Sequence, residues 1–408
     1  MKVKKRLSAG LVCVLMLSAM LSACGGSDSS SKAGGDSTAQ NDTSASAESG
    51  GSSEEEQADA GKPEVISGEV RDIPAMDLVA EMVVGWNLGN SLDSTTGGET
   101  GWGNIATTQE MIDAVNAKGF NTIRIPVTWQ EHMGEAPDYT IDEEWMDRVQ
   151  EVVNYAIRDD MYVLLDTHHE EGWLIPDAEH QENNKAAIAA IWQQISERFA
   201  DYGDHLVFEG LNEPRTVGSQ NEWNGGTAPE RECVKELNKV FYDTVRATGG
   251  KNEKRLLLMT SYAGSVVDAA VEDVFMPEND EHFAMSLHAY TPYGFTYQPE
   301  KWAYTEWDGS HDNEIINMVY DLKDRFINNG VPVILSEFGA FNAWNEDDVA
   351  AWAEVYTGTA RQVGIPCIVW DNGSFMTGET FALFNRADCS WYREKYADAL
   401  VKGATSGE

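Results

Sequence analysis

The sequence predicts an α/β fold, a single (β/α)8 TIM barrel, and two observations carry that expectation. Eight short apolar runs alternate with segments of helical period along one continuous stretch, and nearly every run ends in a polar, titratable or aromatic residue. The runs are rich in Val, Ile and Leu and lack polar alternation, as parallel strands covered on both faces should be. A doubly wound open sheet is the rival, but it would need a Gly-rich phosphate loop after the first strand. The stretch Gly85-Trp86-Asn87-Leu88-Gly89-Asn90 does not have the G-x-G-x-x-G spacing before a helix.

Taken in order, the chain opens with Lys2, Lys4, Lys5 and Arg6, runs apolar from Leu7 to Leu21, and ends this segment in Leu21-Ser22-Ala23-Cys24. That is the pattern of a secretion signal, and its last four residues are similar to a bacterial lipobox. The expectation is a lipoprotein signal peptide over 1–23, cleaved before Cys24, whose sulfur carries lipid. Ser, Gly, Ala, Thr, Asp and Glu then dominate up to about Gly61, without an aromatic residue. Such a segment cannot bury a core and reads as a disordered Ser/Gly/Asp-rich tether over 24–64. The globular domain is assigned to 65–408, with no second low-complexity break and no appended module.

Within that domain the strand candidates are Met82–Leu88, Thr122–Val127, Tyr162–Asp166, Leu206–Gly210, Arg255–Thr260, Phe283–Leu287, Pro332–Ser336 and Pro366–Trp370. Helices are expected from a Thr107/Glu110 capping box to Gly119, then over Glu143–Asp160, Lys185–Tyr202, Pro229–Thr248, Asn313–Asn329, Asp347–Val363 and Ser390–Val401. The crossover over Ser265–Glu278 is weak. Beyond the signal, Cys233, Cys367 and Cys389 are odd in number and have no CxxC spacing, which argues against a metal site or a disulfide framework; at most one bridge can form, and free buried thiols are expected.

Of 408 residues, 68 are acidic and 29 basic, a formal net charge of −39, which repels nucleic acid and anionic membranes and favours a neutral partner. Thirteen Trp offer flat apolar faces to a ligand that has the same.

In a barrel of this type the active site lies at the carboxyl ends of the strands. There the sequence sets Arg124, then Asp166-Thr167-His168-His169, then Asn212-Glu213, then His288-Ala289-Tyr290, then Glu337, then Trp370-Asp371-Asn372. Each has a bland reading: a solvated loop glutamate, a satisfied polar histidine, an arginine paired for stability, a tryptophan that fills the core. Together on one rim they read as a catalytic constellation. A zinc site of His168 and His169 with Asp166 competes, but neighbours on a strand point to opposite faces and cannot easily share one ion.

The runs Asn121–Trp129 (N-T-I-R-I-P-V-T-W), Leu211–Pro214 (L-N-E-P), Leu287–Tyr290 (L-H-A-Y), Ser336–Gly339 (S-E-F-G) and Val369–Gly373 (V-W-D-N-G) resemble the signature stretches of glycoside hydrolase family 5, the cellulase-type retaining hydrolases. The resemblance covers the whole domain in order. It implies a (β/α)8 barrel that cleaves β-linked glucans or related polysaccharides without a cofactor, with Glu213 as general acid/base and Glu337 as nucleophile. It also implies that Arg124 keeps Glu337 charged, that Asn212 donates to the sugar 2-hydroxyl, that His168, His288 and Tyr290 surround the nucleophile, and that Trp370 is the floor under the cleaved sugar. His169 and Asn87 join these as supporting residues. Ser336 departs from the glycine many members carry before the nucleophile, and is expected behind the site. Trp129, Trp173, Trp223, Trp302, Trp307 and Trp344 lie in or beside strand-end loops, where half are expected to line a groove and half to pack.

The motifs N-T-I-R-I-P, L-H-A-Y-T-P and W-D-N-G look most like the broad-specificity endoglucanase and xyloglucanase branch. The expectation is a retaining endo-β-1,4-glucanase acting on cellulose, mixed-linkage glucan or xyloglucan. An endo-β-mannanase or xylanase of the same family, and a non-catalytic glycan-binding surface lipoprotein, are the alternatives. The protein is expected to be a monomer on the outer face of a bacterial membrane, held only by lipid on Cys24.

Overall fold

The computed structural model describes residues 61–297, 304–341, 345–376 and 379–406. The signal segment, Cys24 and nearly all of the tether lie outside the described residues, as do Trp302 and Trp344. Ordered contacts begin just before the expected boundary, because the Glu64 carbonyl accepts from Gln150 Nε2 at 3.1 Å and Asn154 Nδ2 at 2.7 Å.

Eight parallel strands close into a barrel in sequence order: β1 (Val84–Asn87), β2 (Thr122–Ile125), β3 (Tyr162–Asp166), β4 (Leu206–Glu209), β5 (Leu257–Ser265), β6 (Phe283–His288), β7 (Val333–Phe338) and β8 (Cys367–Val369). β1 pairs with both β2 and β8, which closes the ring. Buried on both faces, the strands divide their side chains between two cores. One set, including Trp86, Ile123, Leu165, Phe208, Met285 and Leu335, packs with the outer helices. The other, Leu164, Val207, Leu258, Ala284, Ile334 and Ile368, fills the barrel.

A short helix that the sequence reading did not anticipate, α1 (Ala75–Glu81), closes the amino-terminal end by burying Ala75, Leu78 and Val79 in that inner core. Two residues further along several strands the inward position turns polar: Asp166 after Leu164, Glu209 after Val207, Ser286 after Ala284 and Ser336 after Ile334. With a side-chain period of two, the apolar floor of the barrel therefore gives way to a charged upper layer.

The outer helices are α2 (Gln109–Lys118), α3 (Glu143–Arg158), α4 (Gln181–Arg198), α5 (Ala228–Ala247), the short α6 (Asp268–Val271) and α7 (Tyr293–Thr296), then α8 (Asp312–Arg325), α9 (Glu346–Arg361) and α10 (Glu394–Thr405). α3 shows why such segments fold as they do: Trp145, Val149, Val152, Val153 and Ala156 form one buried stripe, and the Asp142 side chain accepts from Glu144 N–H at 2.8 Å to cap the first turn.

Two expected boundaries differ. The Thr107/Glu110 capping box does not form, because Thr107 N–H is taken by Glu99 Oε1 at 2.6 Å and its carbonyl accepts from Arg148 Nη2 at 2.7 Å; the helix starts at Gln109. A capping box does form at α5, where Glu230 Oε2 accepts from Thr227 N–H at 2.6 Å. The last helix begins at Glu394 and not at Ser390, since Ser390–Trp391 (β10) pairs with Phe384–Asn385 (β9) as a small antiparallel hairpin. Asp371 ties that hairpin to the end of β8: its Oδ2 accepts from Leu383 N–H, Phe384 N–H and Trp86 Nε1–H at 2.9–3.0 Å.

Candidate active site

Arg124 is the hub of the upper layer. Its side chain is fully buried, and a buried guanidinium must satisfy its donors within the protein. Nε and Nη2 form a bidentate pair with Glu209 at 2.6 and 3.0 Å, Nη2 reaches Asn212 Oδ1 at 2.9 Å and Asp166 Oδ2 at 2.8 Å, and Nη1 reaches Glu337 Oε1 at 2.5 Å and Asn87 Oδ1 at 3.2 Å. Five strands are thereby tied to one planar cation. Asn87 is wholly buried and also donates to the carbonyls of Ser336 and Ile368 at 2.9 and 3.1 Å, so it braces β7 and β8.

Glu209 is the residue the sequence reading missed. It is in the same F-E-G-L-N-E-P run as Glu213, four residues earlier, and an inward-facing acid on a buried strand was the available signal. Ser286 Oγ donates to its Oε1 at 2.7 Å and lies 2.5 Å from Ser336 Oγ, so Ser336 does sit behind the site.

Glu213 and Glu337 come together across the mouth. One carboxylate oxygen of each, with a nitrogen of His288, form a set of atoms all within 4.8 Å of one another. His288 Nδ1 is 2.7 Å from Glu213 Oε1 and 3.6 Å from Glu337 Oε2, and Tyr290 Oη donates to Glu337 Oε2 at 3.1 Å. Arg215, also unforeseen, donates from Nη1 to the Glu213 carbonyl at 3.0 Å, stands 3.6 Å from its carboxylate, and lies over the exposed Trp223 ring. Asn212 turns its oxygen to Arg124, which leaves its amide N–H groups as donors.

His168 Nδ1 faces Asp166 Oδ2 at 2.7 Å, and its ring lies parallel to Trp370 with centroids 5.8 Å apart. Burial first, then the charges of His169 and Arg124, keep His168 neutral by pulling it well below its usual range. Burial lifts Asp166 to about 6 despite Arg124 and the Val127 N–H. His169 contacts Glu171 Oε1 at 3.2 Å and meets Trp102 edge-on. The two imidazoles are not on opposite faces: both follow the last residue of β3, and their centroids are 4.6 Å apart, so strand alternation does not separate them.

Of the remaining tryptophans, Trp129 is fully buried with its indole N–H on the Asp166 carbonyl, and Trp307 packs on Phe295; both are packing residues. Trp173 is half-buried and donates to Glu170 at 2.9 Å, while Trp223 is open to solvent.

Within the carboxyl pair, burial raises Glu213, but the contact with His288, its charge and that of Arg215 outweigh it and bring the group to about 2. Burial raises Glu337, and Glu213 adds to this, against His288 and Arg124. That order depends on a charged His288: burial lowers this imidazole, but the charge of Glu337 and the contact with Glu213 outweigh it and raise it. Its Nε2 is buried with no acceptor among the described residues, so the imidazolium would strand an N–H at a cost of about 1–3 kcal/mol. The neutral ring with its proton on Nδ1 makes the same bond to Glu213 and removes the charge that depresses it. With the neutral ring, Glu337, held by Arg124 at 2.5 Å, becomes the more readily ionised of the pair.

The family described as cellulase, glycosyl hydrolase family 5, matches residues 87–376. The chain belongs to glycosyl hydrolase family 5. It is a glycoside hydrolase, and the matched residues run from the end of β1 past the end of β8. Endoglucanase A of Ruminococcus albus is 55% identical over 346 residues, 83% of this chain and 95% of the relative. A GH5-4 broad-specificity endoglucanase from Ruminococcus champanellensis, solved with cellotriose, superposes with a TM-score of 0.80 at 41% identity over 82% of this chain and all of that one. A xyloglucan-specific endo-β-1,4-glucanase from a metagenomic library, also with cellotriose, gives 0.78 at 45% identity over 80% and 98%.

Proposed function

We propose that this family 5 enzyme is a retaining endo-β-1,4-glucanase that acts on cellulose-type, mixed-linkage and xyloglucan backbones, with Glu213 as acid/base and Glu337 as nucleophile. The observation that carries the reading is the carboxyl pair, whose oxygens approach within 4.8 Å with Arg124 on one member. Retaining glycosidases hold their carboxyls about 5–5.5 Å apart, whereas inverting ones leave about 6.5–9.5 Å for a water.

Glu337, ionised and aimed by Arg124 and Tyr290, attacks the anomeric carbon while Glu213 gives its proton to the departing glycosidic oxygen. A covalent glycosyl-enzyme results. Water then attacks that carbon, Glu213 takes the water's proton, and the Glu337 ester bond breaks to release sugar with its original anomeric configuration. His288 holds Glu213 through Nδ1–H, and the free amide of Asn212 can donate to a sugar 2-hydroxyl, a contact that tightens as positive charge develops on the ring. Trp370 offers a flat face beneath the reacting sugar. The endoglucanase names of the relatives and the cellotriose in two solved neighbours favour a glucan over mannan or xylan.

The test is reducing-sugar release from barley β-glucan, carboxymethylcellulose, xyloglucan, mannan and xylan. Release from the glucans with a rapid fall in viscosity is expected. Binding without release, or release from mannan or xylan alone, contradicts the assignment.

A further inference from the structure

The geometry points to a second binding function at the rim: a site for one borderline first-row divalent cation, Zn2+ or Cu2+, formed by Asp93, His168 and His169. One ligating atom from each residue lies within 4.8 Å of the other two, so movements of about an ångström bring all three to the roughly 2.0–2.2 Å that zinc takes from imidazole and carboxylate. Two imidazoles and a carboxylate suit such ions and not Mg2+ or Ca2+, which prefer oxygen alone.

Three features give the cluster the form of a built site. Each imidazole has a carboxylate on its Nδ1, Asp166 at 2.7 Å from His168 and Glu171 at 3.2 Å from His169, which in the neutral ring that an ion requires puts the lone pair on Nε2. Carboxylate–histidine pairs of this kind orient metal ligands and raise their basicity. Asp93 is fully buried and forms no ion pair with a lysine or arginine among the described residues, although buried carboxylates are ordinarily paired or metal-bound. Its oxygens are fixed by Asn90 N–H at 2.9 Å and Ser91 N–H at 2.6 Å, each leaving a further lone pair.

The ion is not part of the hydrolytic steps. His168 lies parallel to Trp370, so an ion on that histidine stands beside the ring proposed as the sugar floor, and cation and sugar compete for the same rim.

The experiment is calorimetric titration of Zn2+ and Cu2+ into the chelator-treated full chain, with Cu2+ electron paramagnetic resonance on the same samples. One ion per chain is expected, with coupling to two imidazole nitrogens and an affinity at least about ten-fold weaker in H169Q. D93N is a second variant, and an unchanged melting temperature qualifies either one. H169Q carries the comparison if D93N does not fold, since His169 is partly exposed. Cellotriose added to the copper-loaded chain should displace the ion. Equal affinity in wild type and H169Q, or coupling to a single nitrogen, overturns the site. Reducing-sugar release by the chelated enzyme is independent of either result, so failure here leaves the glucanase reading untouched.

Discussion

At the scale of single residues, the molecule concentrates three acids, Asp166, Glu209 and Glu337, on one buried arginine. A lone guanidinium cannot neutralise three carboxylates, and burial lifts Asp166 to about 6 against the pull of Arg124. Glu213 has weaker cationic support, with Arg215 at 3.6 Å from its carboxylate. This asymmetry favours the proposed roles. Replacing Glu213 by Ala should lower kcat on a natural glucan by about 10²–10⁴-fold, the usual worth of an acid/base group. Azide should restore turnover of an activated aryl cellobioside by E213A and yield the β-glycosyl azide, whereas E337A should give no β-azide. Rescue with the two residues interchanged would reverse the roles. The strand-end acids were legible because Asn212-Glu213-Pro214 and Glu337 interrupt apolar runs. Glu209 was not, because within a run of buried residues only the inward or outward phase of the strand tells a pairing acid from an error of register.

At the scale of elements, all eight strands follow from their unbroken apolar runs, and the helices from one-sided stripes such as that of α3. The misread boundaries share a cause: local capping signals lost to tertiary partners. Thr107 is claimed by Glu99 and Arg148, and Ser390–Trp391 by the hairpin that Asp371 anchors. α1 escaped notice because seven residues give too little periodicity, although they close the barrel floor.

Docking of α5 provides an element-scale prediction. Asp280 accepts from Tyr242 Oη at 2.7 Å and Arg246 Nε at 2.9 Å, both on α5, and from His282 N–H at 2.7 Å ahead of β6. Burial raises this carboxyl, but Arg246 and the two hydrogen bonds outweigh it and the group lies below its usual value. A depressed acid contributes stability above its unfolded pKa of about 3.9 and loses it as pH falls through the folded value. Asp280→Asn should therefore lower the melting temperature at pH 7, and the difference should shrink as the pH is taken below about 4. A difference that is constant with pH would show that charge at Asp280 does not matter.

At the scale of the whole molecule, an excess of 68 acidic over 29 basic residues suits a protein whose ligand is uncharged. Fold class, strand order and family were all legible before any coordinates, because each strand carries its rim residue in the same run. The placement of the loop tryptophans was not, because residues of equal sequence character divide into the buried Trp129 and the exposed Trp223 only through tertiary contacts. We propose that the chain is tethered through lipid on Cys24. Cys24→Ser should move glucanase activity from the membrane fraction to the medium, and retention at the membrane would exclude this anchor. Covalent trapping separates the proposed roles of Glu213 and Glu337. Incubation with 2,4-dinitrophenyl 2-deoxy-2-fluoro-β-cellobioside, followed by peptide mass spectrometry, should find one fluorocellobiosyl group esterified to Glu337. A label on Glu213, or complete turnover with inversion and no trapped ester, would contradict those roles.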